Sequence, residues 1–140
     1  MNIHQLPLTP FRTPFFLANP HVQTILPKFI KLPKPNYQRH LHSDRTGTTQ
    51  VAYDFVFANT DNQPNLDKPL AVMFHGLEGS SDSHYAIAFA HQAHRLGYDA
   101  VIVHFRGCGG VDNTSELDYN AGDTAEAVHM FNLLKTQYGY

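Results

Sequence analysis

The chain has 140 residues, 16% of them charged, and a formal net charge of -2. A chain of that length can bury about 68% of the surface its unfolded form exposes, enough for one domain or part of one. The charge balance excludes the basic footprint of a nucleic-acid binder, and the single cysteine, Cys108, excludes an intrachain disulfide framework and a cysteine-rich zinc module. No run approaches the ~18 apolar residues of a membrane span, and no signal-like segment opens the sequence, so a cytoplasmic protein is expected.

Seven of the nine prolines (Pro7, Pro10, Pro14, Pro20, Pro27, Pro33, Pro35) fall in the first 35 residues. Each fixes φ and removes a backbone donor, so residues 1–36 are expected to form an arm with only short regular structure. Phe11, Phe15, Phe16, Leu17, Val22, Ile25, Leu26, Phe29 and Ile30 give that arm enough apolar surface to wrap a globular body. Those rings with Lys28, Lys31, Lys34 and Arg39 could instead meet a membrane surface. That use needs a helix with a clear polar face, and the prolines argue against one.

Residues 37–140 carry the body. Residues 37–42 and 50–58 are rich in β-formers on either side of a turn-like Ser43–Thr48, which predicts a hairpin. Polar residues 59–68 read as a loop. Leu70–Phe74 is a continuous apolar run, predicted as a strand buried on both faces. Ser81, Asp82 and Ser83 offer caps for a helix whose apolar stripe reads Tyr85, Phe89, Ala93 and Leu96, with Gly97 as its stop. Asp99–Phe105 is a second buried strand and leads into the glycine-rich Arg106–Gly110. Asp123-Thr124-Ala125-Glu126 resembles a capping box for a last helix with Ala127, Phe131 and Leu134 on one face, ended by Gly139. Hairpin, strand, helix, strand, helix implies an α/β fold with right-handed crossovers, a mostly parallel sheet and helices on its faces.

In such sheets ligands bind beyond the carboxyl ends of the strands, here the loops beginning at His75 and Arg106. The first, His75-Gly76-Leu77-Glu78-Gly79-Ser80-Ser81, is a strand-to-helix turn of small residues whose main-chain N–H groups can hold an oxyanion. Asn19-Pro20-His21-Val22-Gln23-Thr24-Ile25-Leu26-Pro27, the His75–Ser83 loop with Tyr85, His104-Phe105-Arg106-Gly107-Cys108, and Tyr119 with Gly122-Asp123-Thr124 stand in that order. Together they resemble the YheT-like branch of the α/β-hydrolase superfamily. Two places depart from that pattern: Gly109 stands where the family usually has serine, and Asn120-Ala121 where a His-Ser pair is usual.

The resemblance implies the N-terminal part of an α/β-hydrolase fold, residues 37–140, incomplete because the nucleophile elbow and C-terminal half are missing. It implies a serine-type hydrolase of carboxylic esters, with a small-molecule or lipid ester as substrate and no cofactor or metal. The Leu77 main-chain N–H would form half of the oxyanion hole, with His75 and Gly76 shaping the loop. Nucleophile, acid and base have no counterpart here, since none of Ser43, Ser80, Ser81, Ser83 and Ser115 lies in Gly-x-Ser-x-Gly, so the 140 residues alone are expected to be inactive. The same comparison places the outer edge of the Leu70–Phe74 strand bare. The alternative is a catalytically inactive short product that binds a partner or a lipid surface through its Phe-rich arm.

Other readings are blander. His91 and His94 lack a third metal ligand, Cys108 lacks an orienting partner, and the loop at Gly107 lacks the final glycine of a dinucleotide fingerprint because Asp112 stands there. Glu78 reads as a solvated carboxylate, Asp123 as a helix cap, and Arg106 as a residue that ties loops together through its five donors.

Overall fold

The hairpin forms where the β-rich runs predict it. In the computed structural model, which describes residues 12–120 and 122–140, β1 (Gln38–Ser43) pairs antiparallel with β2 (Gln50–Val56), Gln38 opposite Phe55 and Ser43 opposite Gln50. Asp44 closes the turn by accepting from the Thr46 and Thr48 N–H groups and the Thr46 hydroxyl, a side chain standing in for backbone turn bonds. The other strands are β3 (Leu70–Phe74) and β4 (Asp99–Val103), and the sheet order is β1-β2-β4-β3. β4 runs antiparallel to β2 and parallel to β3.

Every residue of β4 is buried, as its apolar run requires of a central strand. The run in β3 reads the same way, but its residues are only half-buried because this strand lies at the edge of the sheet. Hydropathy alone does not distinguish a central strand from an edge.

Two helices cover the sheet. Val51, Tyr53, Phe55, Val101 and Val103 point to the face covered by α3 (Thr124–Tyr138), where Met130, Leu133 and Leu134 meet them. Val56 and Ile102 point the other way, toward Ala86 and Ala90 of α2 (His84–Arg95). The buried stripe of α2 is Ala86, Ala90 and Ala93, not the larger residues the spacing suggested; Tyr85 and Leu96 are exposed. Small side chains let the helix axis approach the sheet, and the bulky ones are displaced to its flanks.

The buried face of α3 is also rotated from expectation. It comprises Glu126, Met130, Leu133 and Leu134, while Val128 and Phe131 lie outside. Asp123 caps the helix by accepting from the Glu126 N–H, and Gly139 ends it at φ 81°, where a side chain is disfavoured. Near that end the Tyr138 hydroxyl sits 2.6 Å from His40 Nδ1 and 2.7 Å from His42 Nε2, fastening the last turn to β1. The carboxylate of Asp99, buried at the start of β4, accepts from the Ala58 and Asn65 N–H groups and from the Tyr140 hydroxyl, which pins the 59–68 loop.

The chain divides after Lys31, and Leu32–Tyr140 forms the unit just described. Among the described residues of the preceding unit, a 3-10 turn (Phe15–Leu17) leads to α1 (Pro20–Phe29). This helix overturns the expectation that the prolines exclude one with a polar face. Pro20 occupies the first helical position, whose N–H would have no intrahelical partner in any case, and Asn19 caps the helix by accepting from the His21 N–H. Among the described residues no helix is long and apolar enough to cross a membrane.

Candidate functional site

The loop leaving β3 is held at nearly every polar point. His75 is buried, and its Nε2 accepts from the Phe105 N–H at 3.2 Å. That bond places the ring proton on Nδ1, which donates to the Gly76 carbonyl at 2.7 Å. Both ring nitrogens are thereby occupied by backbone. The Gly76 N–H donates to the Tyr85 hydroxyl at 3.1 Å, and the Gly79 N–H returns to the Gly76 carbonyl at 2.9 Å, closing a tight turn. Glu78 takes a left-handed φ of 52° inside it. Gly79 is required by close approach, since a Cβ there would lie 2.2 Å from the Tyr85 oxygen. Leu77 and Glu78 are exceptions. Neither main-chain N–H has a hydrogen-bond partner among the described residues, and the Leu77 side chain is 81% exposed.

A second set of residues anchors the far side of the loop. Arg39 on β1 grips Asp54 on β2 with two bonds of 2.7 Å and donates a third, also 2.7 Å, to the Gly109 carbonyl. Asp54 accepts from the Ser81 hydroxyl at 2.5 Å, while the Ser81 N–H donates to His104 Nε2 at 3.1 Å. His104, fully buried, donates from Nδ1 to the Ala52 carbonyl at 3.0 Å.

A serine, an imidazole and a carboxylate therefore meet, but not in the order of nucleophilic catalysis. The hydroxyl proton of Ser81 goes directly to the carboxylate, and the imidazole lone pair that a general base would use is taken by a backbone N–H. The cluster is a brace. Sequence reasoning missed it because Arg39, Asp54, Ser81 and His104 lie on four different segments, and only the strand order brings them together.

A third cluster surrounds Arg106. Nε donates to Asp44 at 2.7 Å, Nη1 to Asp123 at 3.3 Å, and Nη2 makes a short bond to Glu126. This is the loop-tying role that its five donors suggested. Glu126 Oε2 also accepts from the Arg45 N–H at 3.2 Å.

Between the Glu78–Asp82 segment and Gly107–Gly110, at the carboxyl ends of β3 and β4, lies a cleft of about 780 Å³ to which Tyr37 and Arg39 also contribute. This is where an open α/β sheet holds its ligand. Cys108 lines the cleft with its thiol pKa raised by burial and by Glu78, the opposite of an activated nucleophile. His91 Nε2 is engaged with the Pro33 carbonyl at 2.7 Å. Among the described residues no group of three or more His, Cys, Asp or Glu is placed to hold a metal ion.

These environments set an acid response. Burial pushes the His104 pKa below its ordinary value despite the pull of Asp54, and burial together with His40 does the same for His42. A lowered histidine pKa favours the neutral folded form, so its contribution is full above pH ~6.5 and fades as the pH falls from there. Burial would raise Asp44, but hydrogen bonds from Arg106 and Thr46 bring it down to about 2; Asp54 is likewise lowered, against burial, by Arg39 and Ser81. Those contributions are present above pH ~4 and are lost as the pH drops through the folded values. The urea midpoint is expected to fall between pH 7 and 5 and again below 4, with His104→Gln shrinking the first step. A midpoint flat from pH 7.5 to 5 would rule the histidine contribution out.

No family model matches the chain. YheT of Escherichia coli (strain K12), named as a candidate esterase, is 34% identical over 128 residues, 88% of this chain and 35% of that protein. An abhydrolase domain-containing protein of Dictyostelium discoideum is 29% identical over 114 residues, 79% of this chain and 28% of its own length. The chain spans about a third of the length of these curated relatives. Among solved structures, an α/β serine hydrolase homologue from Coxiella burnetii superposes with a TM-score of 0.56 at 13% identity, over 78% of this chain and 50% of that one. A candidate hydrolase from Agrobacterium vitis S4 gives 0.52 at 12% identity, over 73% and 36%. With the sequence match running through the loop at Leu77 and the sheet matching in three dimensions, the chain belongs to the YheT-like branch of the α/β-hydrolase superfamily.

Proposed function

We propose that this chain serves the hydrolysis of carboxylic esters through a serine acyl-enzyme, and that the Leu77 main-chain N–H supplies one of two donors to the oxyanion. The observation that carries the reading is the unengaged N–H of Leu77, in the first turn beyond β3, inside a loop held on either side by His75, Gly76 and Tyr85. A donor that is already fixed and has no competing partner needs no reorganisation when charge develops on the ester carbonyl oxygen, and one such donor is worth about 10²–10³ in kcat. His75 and Gly76 act through Leu77: the first holds the Gly76 carbonyl, and the second, anchored by Tyr85, sets the direction of the following N–H. The substrate is a small-molecule or lipid ester, and the route needs no cofactor.

Nucleophile, acid and base have no counterpart among these 140 residues, which on their own are expected to turn over no ester. The test replaces the matched stretch of Escherichia coli YheT with this chain, checks by thermal unfolding that the graft folds, and assays p-nitrophenyl esters. Leu77→Pro, which removes the N–H, is expected to lower kcat at least 100-fold with KM little changed. A graft indifferent to that substitution would overturn the role of Leu77. Ester turnover by the 140 residues alone would place a nucleophile inside them.

A further inference from the structure

Charge is divided unevenly along this chain. The first 43 residues hold Arg12, Lys28, Lys31, Lys34 and Arg39 and no Asp or Glu; all twelve acidic residues follow, beginning with Asp44 and accompanied by the other five basic ones. The unit that ends at Lys31 thus keeps Arg12, Lys28 and Lys31 with no acid, while Lys34 and Arg39 belong to the body and pair there with Asp82 and Asp54.

The cationic segment is also amphipathic. In α1, Val22, Ile25, Leu26 and Phe29 recur at i, i+3, i+4 and i+7 and line one face, with Gln23, Thr24 and Lys28 away from it. Within its own unit that face is uncovered: Ile25 is 54% exposed and Phe29 72%, and Phe15 in the turn before the helix is 91% exposed. None of the apolar residues of α1 is buried. An uncovered apolar stripe beside lysines, on a segment free of acids, fits a partner that is both apolar and anionic.

We infer that α1 and its flanking turn are a docking element for an anionic lipid surface. Phe15, Ile25 and Phe29 enter the boundary between headgroups and acyl chains, and Arg12, Lys28 and Lys31 meet the phosphates. This inference does not depend on the ester-hydrolysis reading; if both hold, the arm brings the cleft to the interface where lipid esters are found. An acidic protein surface would satisfy the lysines but not the phenylalanines, and a neutral bilayer the reverse.

The chain contains no tryptophan, so Phe29→Trp creates a single reporter on the exposed face. The full 140-residue chain with this substitution is mixed with vesicles of phosphatidylcholine alone and of phosphatidylcholine with 30% phosphatidylglycerol. The expected result is a blue-shifted emission and co-sedimentation with the anionic vesicles, at least tenfold weaker with the neutral ones and weakened about tenfold by half-molar salt. Ile25→Asp and the pair Lys28→Glu, Lys31→Glu should each reduce binding at least tenfold without altering the far-ultraviolet circular dichroism. Equal binding to both vesicle types overturns the anionic requirement, and absence of binding overturns the inference. If, without lipid, Ile25→Asp changes the sedimentation coefficient, the face is covered by a second copy. If instead it lowers the melting temperature of the body, the face is covered by the body itself. Either result would overturn the inference too.

Discussion

Replacing Arg106 by methionine is expected to abolish cooperative unfolding of the body. The guanidinium is 3% exposed and bonds three carboxylates, two of them, on Asp44 and Glu126, fully buried. Without it three negative charges remain together with Arg45, which is more exposed and lies 3.6 Å from Asp123 and 3.8 Å from Glu126. Breaking a buried ion pair by removing one partner costs about 3–5 kcal/mol, a large part of the ~5–15 kcal/mol that holds a domain together. Arg106→Lys keeps one charge but not the three-way fork and should fall between the two. Circular dichroism across a urea series measures all three chains. An Arg106→Met transition as sharp as that of the parent, at a midpoint within a few tenths molar, would show that the cluster contributes little.

Introducing serine at Gly109 is the second large effect, and it is expected to cost about 2–4 kcal/mol, combining a left-handed backbone with overpacking. Gly109 sits at φ 66°, and a Cβ there would lie 2.3 Å from Cδ2 of His104, inside the ring's van der Waals envelope. Relieving that clash means moving the imidazole, which releases the Ser81 N–H from one nitrogen and the Ala52 carbonyl from the other. Gly110→Ser is the control. Its φ is 78°, but nothing lies within 4 Å of the added Cβ, so only the backbone term of about 1–2 kcal/mol applies. If the two variants melt together, the contact with His104 is not what constrains position 109.

The comparison of sequence with structure turns on the same residues. The hairpin, the two strands in the apolar runs and both body helices were legible because each is a local pattern: β-formers around a turn, apolar runs, caps and a stop at Gly139, whereas the burial expected on both faces of Leu70–Phe74 was not met. The place of the loop at Leu77 was legible as well, since it follows directly on the apolar run that forms β3. What periodicity could not supply was the identity of the buried face of α3. A charged Glu126 at the N-terminal end of that face contradicts any hydropathy rule, and it is buried because Arg106, 20 residues earlier, lies opposite. The brace of Arg39, Asp54, Ser81 and His104 was hidden for the same reason: its bonds span up to 70 residues and follow from strand order. In α1 the average effect of proline misleads, because Pro20 stands at the one helical position that suits it.

The strand order also governs when the sheet can exist. Of the four described strands β4 comes last in sequence, yet it lies between β2 and β3. Until residue 103 has left a ribosome, β3 has no neighbour, and β1 with β2 forms only a two-stranded ribbon of marginal stability. One late event therefore joins both halves, and the contacts it creates are the long-range ones: β2 to β4, Ser81 to His104, Asp44 to Arg106. Loop closure over such separations is slow, so between the synthesis of β3 and that of β4 the nascent chain carries an exposed apolar segment, Leu70–Phe74, awaiting its partner. The interval between making β3 and making β4 is the window in which the nascent chain depends on whatever shields it.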